Sequence, residues 1–386
     1  MSVTVDDFPE FSLERLLETV FKPQAGEQVA VLIDLEDPKE IKDMAFLEKS
    51  QYPVQQNAIK YFHKPLNNEV LAKMGLKGGE LFAYKRTGGS NLDLPDEAYS
   101  PTGTKLSLEK NIYPNYDIIL CISSDSATAP LTAFSKKFGF RGATLHGLND
   151  IIAQSGLAVD YNEISKEAEK IRVGFTKAES VEIDFEVEGK KHTLKLELGG
   201  QEAQKSHGLC HTSPDVANLP AGEVYFVPKG VSGSFPLKFE DGTIGLMECQ
   251  GESIKKATLI KGEASVIEEF SALIEADPAA GLIGELGFGT QVLPVSGQDI
   301  QDEKIRGTVH VATGRSDHLG GDITPDKFNE AGNAKHEDIL FSPEKTPEIN
   351  VPQVRMFWKG EAGDNSEVLI ENFKPSKYIE GLLAQN

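Results

Sequence analysis

Leu13, Leu16, Leu17 and Val20 recur at the three-and-four spacing of an amphipathic helix, while Glu14, Arg15 and Glu18 fall on the other side. The pattern then changes. Val29 to Ile33 is a short unbroken apolar run, entered through Ala25-Gly26 and closed by Asp34, as expected of a strand buried on both faces. Ile118 to Ile122 repeats that pattern and runs into Ser123-Ser124-Asp125-Ser126, a polar stretch able to cap a helix from Ala129 to Phe138. Strands alternating with helices predict an open α/β sheet. From Lys64 to Pro101 periodicity is weak and Gly, Asn and Pro are frequent, which predicts excursions at the edge of that sheet.

After about residue 175 the period becomes two. Val181, Ile183, Phe185 and Val187 alternate with Glu182, Asp184, Glu186 and Glu188, and beyond Gly189-Lys190 the alternation resumes at Leu194, Leu196 and Leu198. This is a hairpin with one face in water. Asp241-Gly242 marks a second hairpin. One amphipathic helix (Val266, Ile267, Phe270, Leu273, Ile274) interrupts, and strands return at Thr308 to Ala312 and Ile339 to Phe341. The expected fold is α/β plus α+β: an N-terminal open α/β sheet domain over 1–175, then a strand-rich domain over 176–386.

Length agrees with two domains, since 386 residues exceed what one core usually serves. The 39 Lys and Arg against 60 Asp and Glu leave a formal charge of −21. That balance argues against nucleic acid and against an anionic membrane surface as partners, because both need a cationic face. Three cysteines without a CxxC spacing read as reduced thiols. MSVTVDDFPEF has neither the basic nor the apolar region of a secretory signal, and no apolar run approaches the ~20 residues of a membrane helix, so a cytoplasmic location is expected.

Phosphate-cradle signals are poor. GELGFGT has the spacing of neither nucleotide-binding glycine motif and no GxSxG elbow occurs, so Gly284, Gly287 and Gly289 are expected in a flexible loop. The histidines are more informative. In Gly307-Thr308-Val309-His310-Val311-Ala312 the alternation sets His310 beside two small residues, with room for something next to it. In His336-Glu337-Asp338, if extended, His336 and Asp338 point the same way from backbones about 6.5 Å apart, and Glu337 points away. Glu223 and Glu285 lie in apolar surroundings, where a buried carboxylate is costly unless paired or metal-bound. His207 and His211 flank Cys210 at i, i+4, but Gly208 and Thr212-Ser213-Pro214 argue against a helix there. His318, before Gly320-Gly321, is expected on a mobile loop or as a second contact beside the site.

Taken in order, NLPAGEV, GELGFGT, DEKIRGTVHVATG and HED resemble the metallo-aminopeptidase family of aminopeptidases T and S. The likeness extends upstream through GATLHGLNDIIAQSGLAVDY and GEQVAVL, but not over 64–101. It implies a second domain of the aminopeptidase T type with metal ligands Glu223, Glu285, His310, His336 and Asp338, two divalent ions (Zn, Co or Mn), and removal of N-terminal residues from peptides in a homodimer. The donor set suits that chemistry: three carboxylates and two imidazoles without a thiolate, and if Glu285 bridges, each ion has three protein ligands and open positions for water and substrate. One departure matters. Where the family carries a tyrosine seven residues after the GTVH histidine, this chain has Asp317 followed by His318, the residues left to take a catalytic part beside Glu285. A more distant similarity reaches the 2,5-dihydroxypyridine dioxygenases, which implies a single Fe(II) held by His310, His336 and Asp338. The missing tyrosine also admits a degenerate homologue that binds metal without turnover.

Overall fold

The computed structural model describes residues 3–360 and 363–385. Contacts gather into two compact units. One comprises the chain up to Ser165 with His207–Ala221 and Leu293–Gln301; the other comprises Lys166–Ser206, Gly222–Val292 and the chain from Asp302.

In the first unit the helix Leu13–Phe21 forms as its spacing predicts, with the Ser12 hydroxyl accepting from the Arg15 amide and Leu13, Leu16, Leu17, Val20 and Phe21 buried. The sheet runs in the order Asp215–Asn218, Arg141–His146, Ile118–Ser123, Gln28–Leu35, Lys77–Lys85, Glu97–Tyr99, Lys105–Ser107. The first five strands are parallel and the last two antiparallel. Lys77–Lys85 corrects the expectation of mere excursions: it is an interior strand, disguised by charged and glycine residues at its start, where a Cβ on Gly78 would meet the Val29 carbonyl at 2.6 Å. The helix Thr128–Phe138 corrects another. Its N-terminus is capped from afar by Asn91, whose Oδ1 accepts from the Ala129 amide at 2.7 Å, and the serine stretch bonds elsewhere. At the end of its strand the buried Asp34 accepts the Ser124 amide at 2.9 Å and a hydrogen bond from Gln55.

The second unit is antiparallel throughout its two sheets. Eight strands run in the order Ser253–Lys261, Ile244–Gly251, Gly230–Lys238, Lys190–Glu197, Ala178–Val187, Ile349–Gly360, Gly363–Glu371, Lys374–Pro375. Five run in the order His336–Phe341, Val309–Gly314, Ile283–Gly289, Glu223–Phe226, Gln204–Ser206. Both predicted hairpins are present, Val187↔Lys190 and Lys238↔Ile244 closing them. The inward residues of both sheets, among them Val181, Ile183, Leu194, Phe235, Val309, Val311 and Phe341, form one core. Among the described residues no helix is long and apolar enough to cross a membrane.

Candidate metal centre

The five-stranded sheet builds the site through its register. Asp338 pairs with Ala312 and Ala312 with Glu285; in the next row Leu340, His310, Gly287 and Tyr225 follow one another; in the next Gly289 faces Glu223. Period two then puts Glu223, Tyr225, Glu285, His310, His336 and Asp338 on one face. The residues between them, Val224, Phe226, Leu286, Phe288, Val309, Val311 and Phe341, face the core. Hydrophobic burial on one side thus fixes where every donor on the other side stands.

Gly284, Gly287 and Gly289 are not in a loop, as the sequence had suggested, but within the buried strand Ile283–Gly289. They permit close approach. A Cβ on Gly287 would overlap the His310 imidazole, and one on Gly284 would lie 2.7 Å from the Gly314 carbonyl. The room beside His310 therefore comes from the strand opposite as well as from its own neighbours.

All five expected ligands converge. His310 Nε2 lies 3.6 Å from Glu223 Oε2 and 3.6 Å from Glu285 Oε1. His336 Nε2 lies 3.0 Å from Glu285 Oε2 and 3.2 Å from Asp338 Oδ1. His336 Nδ1 donates its hydrogen bond to the Arg315 carbonyl at 2.6 Å, which leaves Nε2 as the ligating atom. Glu337 is exposed, as its alternation requires. Three groups could each hold a metal ion: Glu223, Glu285 and His310; Glu285, His336 and Asp338; and Glu303, His310 and Asp338.

Electrostatics confirms how crowded the cluster is. Burial opposes charge on the Glu285 carboxyl, yet the two imidazoles beside it, His310 and the hydrogen-bonded His336, hold it well below the usual carboxylate range. Burial likewise opposes charge on both imidazoles, but the carboxylates prevail: Glu285, Glu303 and Glu223 lift His310 to about 9, and Asp338 with Glu285 lifts His336 well above its ordinary value. Four carboxylates around so few protons form a set that fits divalent cations: hard oxygen and borderline nitrogen donors, buried except for the partly exposed Asp338.

His318 is half-buried against His336, ring centroids 4.9 Å apart and edge-on, so it is a neighbour of the site and not a distant loop residue. Burial and the His336 charge push its imidazole down to about 3, leaving it neutral. Asp317 is taken by Arg315, Nε to Oδ1 at 2.7 Å. His207, Cys210 and His211 belong to the first unit, where His211 Nε2 lies 3.0 Å from the Thr19 carbonyl and the Cys210 amide donates to Val20.

Sequence reasoning missed three residues. Glu303 and Lys304 look like part of a solvated charge run, yet both are buried, with Lys304 Nζ 2.5 Å from Glu303 Oε1 and 2.8 Å from Glu223 Oε2. Burial works against the ammonium, but Glu223 and Glu303 keep it charged. Tyr225 shares the donor face two residues after Glu223, a position that alternation alone would have revealed.

No family description and no curated protein matches the chain at the level of sequence. Solved structures do match in fold. The 2,5-dihydroxypyridine dioxygenase from Pseudomonas putida KT2440 is 13% identical with a TM-score of 0.59, covering 95% of this chain and 97% of that one. AmpT from Thermus thermophilus, an aminopeptidase T, is 13% identical with a TM-score of 0.52, covering 94% and 98%. The mixed α/β fold is therefore similar to both enzymes over nearly its whole length.

Proposed function

We propose that this protein is a metal-dependent hydrolase of the aminopeptidase type, which removes N-terminal residues from peptides with two divalent ions, zinc, cobalt or manganese. The observation that carries this reading is the division of Glu285: Oε1 belongs to the group with Glu223 and His310, and Oε2 to the group with His336 and Asp338. A carboxylate placed between two three-donor groups is what a bridging ligand requires. Such ions, when bound, supply Lewis acidity and a water of lowered pKa. The chain's own part is to place the donors: the Arg315 carbonyl fixes the His336 tautomer, and His318, neutral beside it, offers a nitrogen to a substrate or water. In this reading Asp317 holds Arg315 rather than reacting. A small cytoplasmic peptide as substrate and a homodimeric assembly belong to the same proposal.

A second reading has one observation in its favour. Lys304 engages the Glu223 oxygen nearest His310, which favours a reading without Glu223 in which His310, His336 and Asp338 are the two histidines and one carboxylate of an Fe(II) site suited to opening a hydroxylated pyridine ring. His310 and His336 each lie in a donor group with Asp338 but in none together, so this reading needs the two rings to close on one ion. Metal content after anaerobic purification separates the two. About two zinc, manganese or cobalt ions per chain with turnover of an amino-acid anilide supports the hydrolase; about one iron with oxygen uptake on dihydroxypyridine replaces it by the oxygenase. Metal bound at full occupancy without turnover of either substrate identifies a binding homologue.

A further inference from the structure

We propose that Lys304 is the protein's own cation at a third position of the centre, and that its ammonium, set between Glu223 and Glu303, limits how many metal ions the centre accepts. The inference rests on reading the cluster as a metal centre. Of the three donor groups, the first two are complementary, sharing only Glu285. The third borrows His310 from one and Asp338 from the other, and brings only Glu303 of its own. Glu303 is where Lys304 stands, at 2.5 Å, and the same Nζ reaches Glu223 Oε2 at 2.8 Å.

Lysine is almost never fully buried unless paired, and Lys304 has 0% exposure. Its position is built, not incidental. The Lys304 carbonyl accepts from the Gln291 amide at 2.8 Å, the Arg306 amide donates to the Gln291 carbonyl at 2.6 Å, and the Thr308 hydroxyl donates to the Glu303 and Ile305 carbonyls. The loop preceding the His310 strand is therefore tied down on both sides of the lysine. An ammonium there supplies one positive charge and three donors, yet has no open coordination position. It satisfies Glu303 without an ion and holds one oxygen of Glu223 in place toward His310. Lys304 is thus a positioning residue that also closes the third group to metal.

Removing the ammonium leaves two buried carboxylates facing each other, a vacancy that a divalent ion fills. Equilibrium dialysis with Zn²⁺ and with Mn²⁺, read by elemental analysis, tests this. Lys304→Met is expected to bind one ion more per chain than the parent, Lys304→Met/Glu303→Gln to return to the parental number, and Lys304→Arg to keep it. A folded Lys304→Met chain with the parental number overturns the inference alone. A parent chain that takes up no ion overturns the metal reading and this inference with it. If Lys304→Met does not fold, Glu303→Gln decides: parental metal number and affinity within about threefold are expected, whereas a fall of about tenfold or more makes Glu303 a ligand and refutes the role given to Lys304.

Discussion

Replacing Gly287 by alanine adds one methyl group to the fold, and the structure says where it lands. The new Cβ lies less than 3.0 Å from both Cε1 and Nε2 of His310, against 3.4–4 Å for ordinary contact, and Nε2 is the atom aimed at Glu223 and Glu285. The ring must retreat by roughly an ångström, because the other neighbours are strand backbone and core. Overpacking of this kind costs about 1–3 kcal/mol, so the metal-free protein should lose a few degrees of Tm. The larger effect falls on the ion. A ligand displaced by about an ångström is in practice lost, and metal affinity should drop by about a hundredfold or more. Competition with a calibrated chelator measures that affinity, with Gly332→Ala as the control because nothing lies within 4 Å of the methyl it would carry. Gly287→Ala binding metal as tightly as the parent, with an unchanged melting temperature, would refute the close-approach argument. It would also remove His310 from the ligand set.

Metal affinity should rise with pH. His310 keeps its proton to about 9 without an ion and must shed it to ligate, so at the group with Glu223 and Glu285 each unit of pH up to that point strengthens binding by about tenfold, and His336 adds a proton of its own at the other group; calorimetry in buffers of different ionisation heat should record the released protons, and an affinity flat from pH 6 to 9 contradicts the assignment. Asp34, 1% exposed, is pushed by burial up to about 6, so its contribution to stability is fully present below about 4 and is lost as pH rises through 6. The two-unit shift corresponds to about 3 kcal/mol, and Asp34→Asn should abolish that part of the slope when denaturant unfolding of variant and parent is compared across pH 4–7. Asn91→Ala removes the only side-chain cap observed for the Thr128–Phe138 helix among the described residues and should cost about 1–2 kcal/mol in the same assay; no loss would mean that water replaces the cap.

What was legible in the sequence was whatever depends on near neighbours. Strands such as Ile118–Ser123 and Ala178–Val187 declare themselves by burial on two faces or one, and His336 with Asp338 by alternation alone. Glu223 and Glu285 stand out as carboxylates among apolar residues and His310 as a histidine between small ones, but joining the five into one ligand set rests on the resemblance to the aminopeptidases. Three kinds of feature stayed hidden. Asn91 caps a helix 38 residues away, a partnership without local trace. The glycines of Ile283–Gly289 look like loop formers, since propensity does not record that neighbouring strands need the space. Glu303 and Lys304 carry the composition of a wet surface, and only the return of Gln291 against their backbone puts them inside. The compact units likewise take back Leu293–Gln301 and His207–Ala221, which reading along the chain cannot anticipate.

Two donors, His336 and Asp338, ride on a strand at the rim of the five-stranded sheet, bonded to a neighbour on one side only. The remaining donors stand on strands nearer the middle. Fraying only the His336–Asp338 end of that strand from Val309–Gly314 would open the Glu285–His336–Asp338 group while Phe341 at its other end stays packed in the core. Loading and release of an ion would then need only a local breath at that end of the rim, which hydrogen exchange of the strand's amides would report, and not the undoing of the core. A centre built this way can be deeply enclosed and still trade its ion within the lifetime of the folded chain.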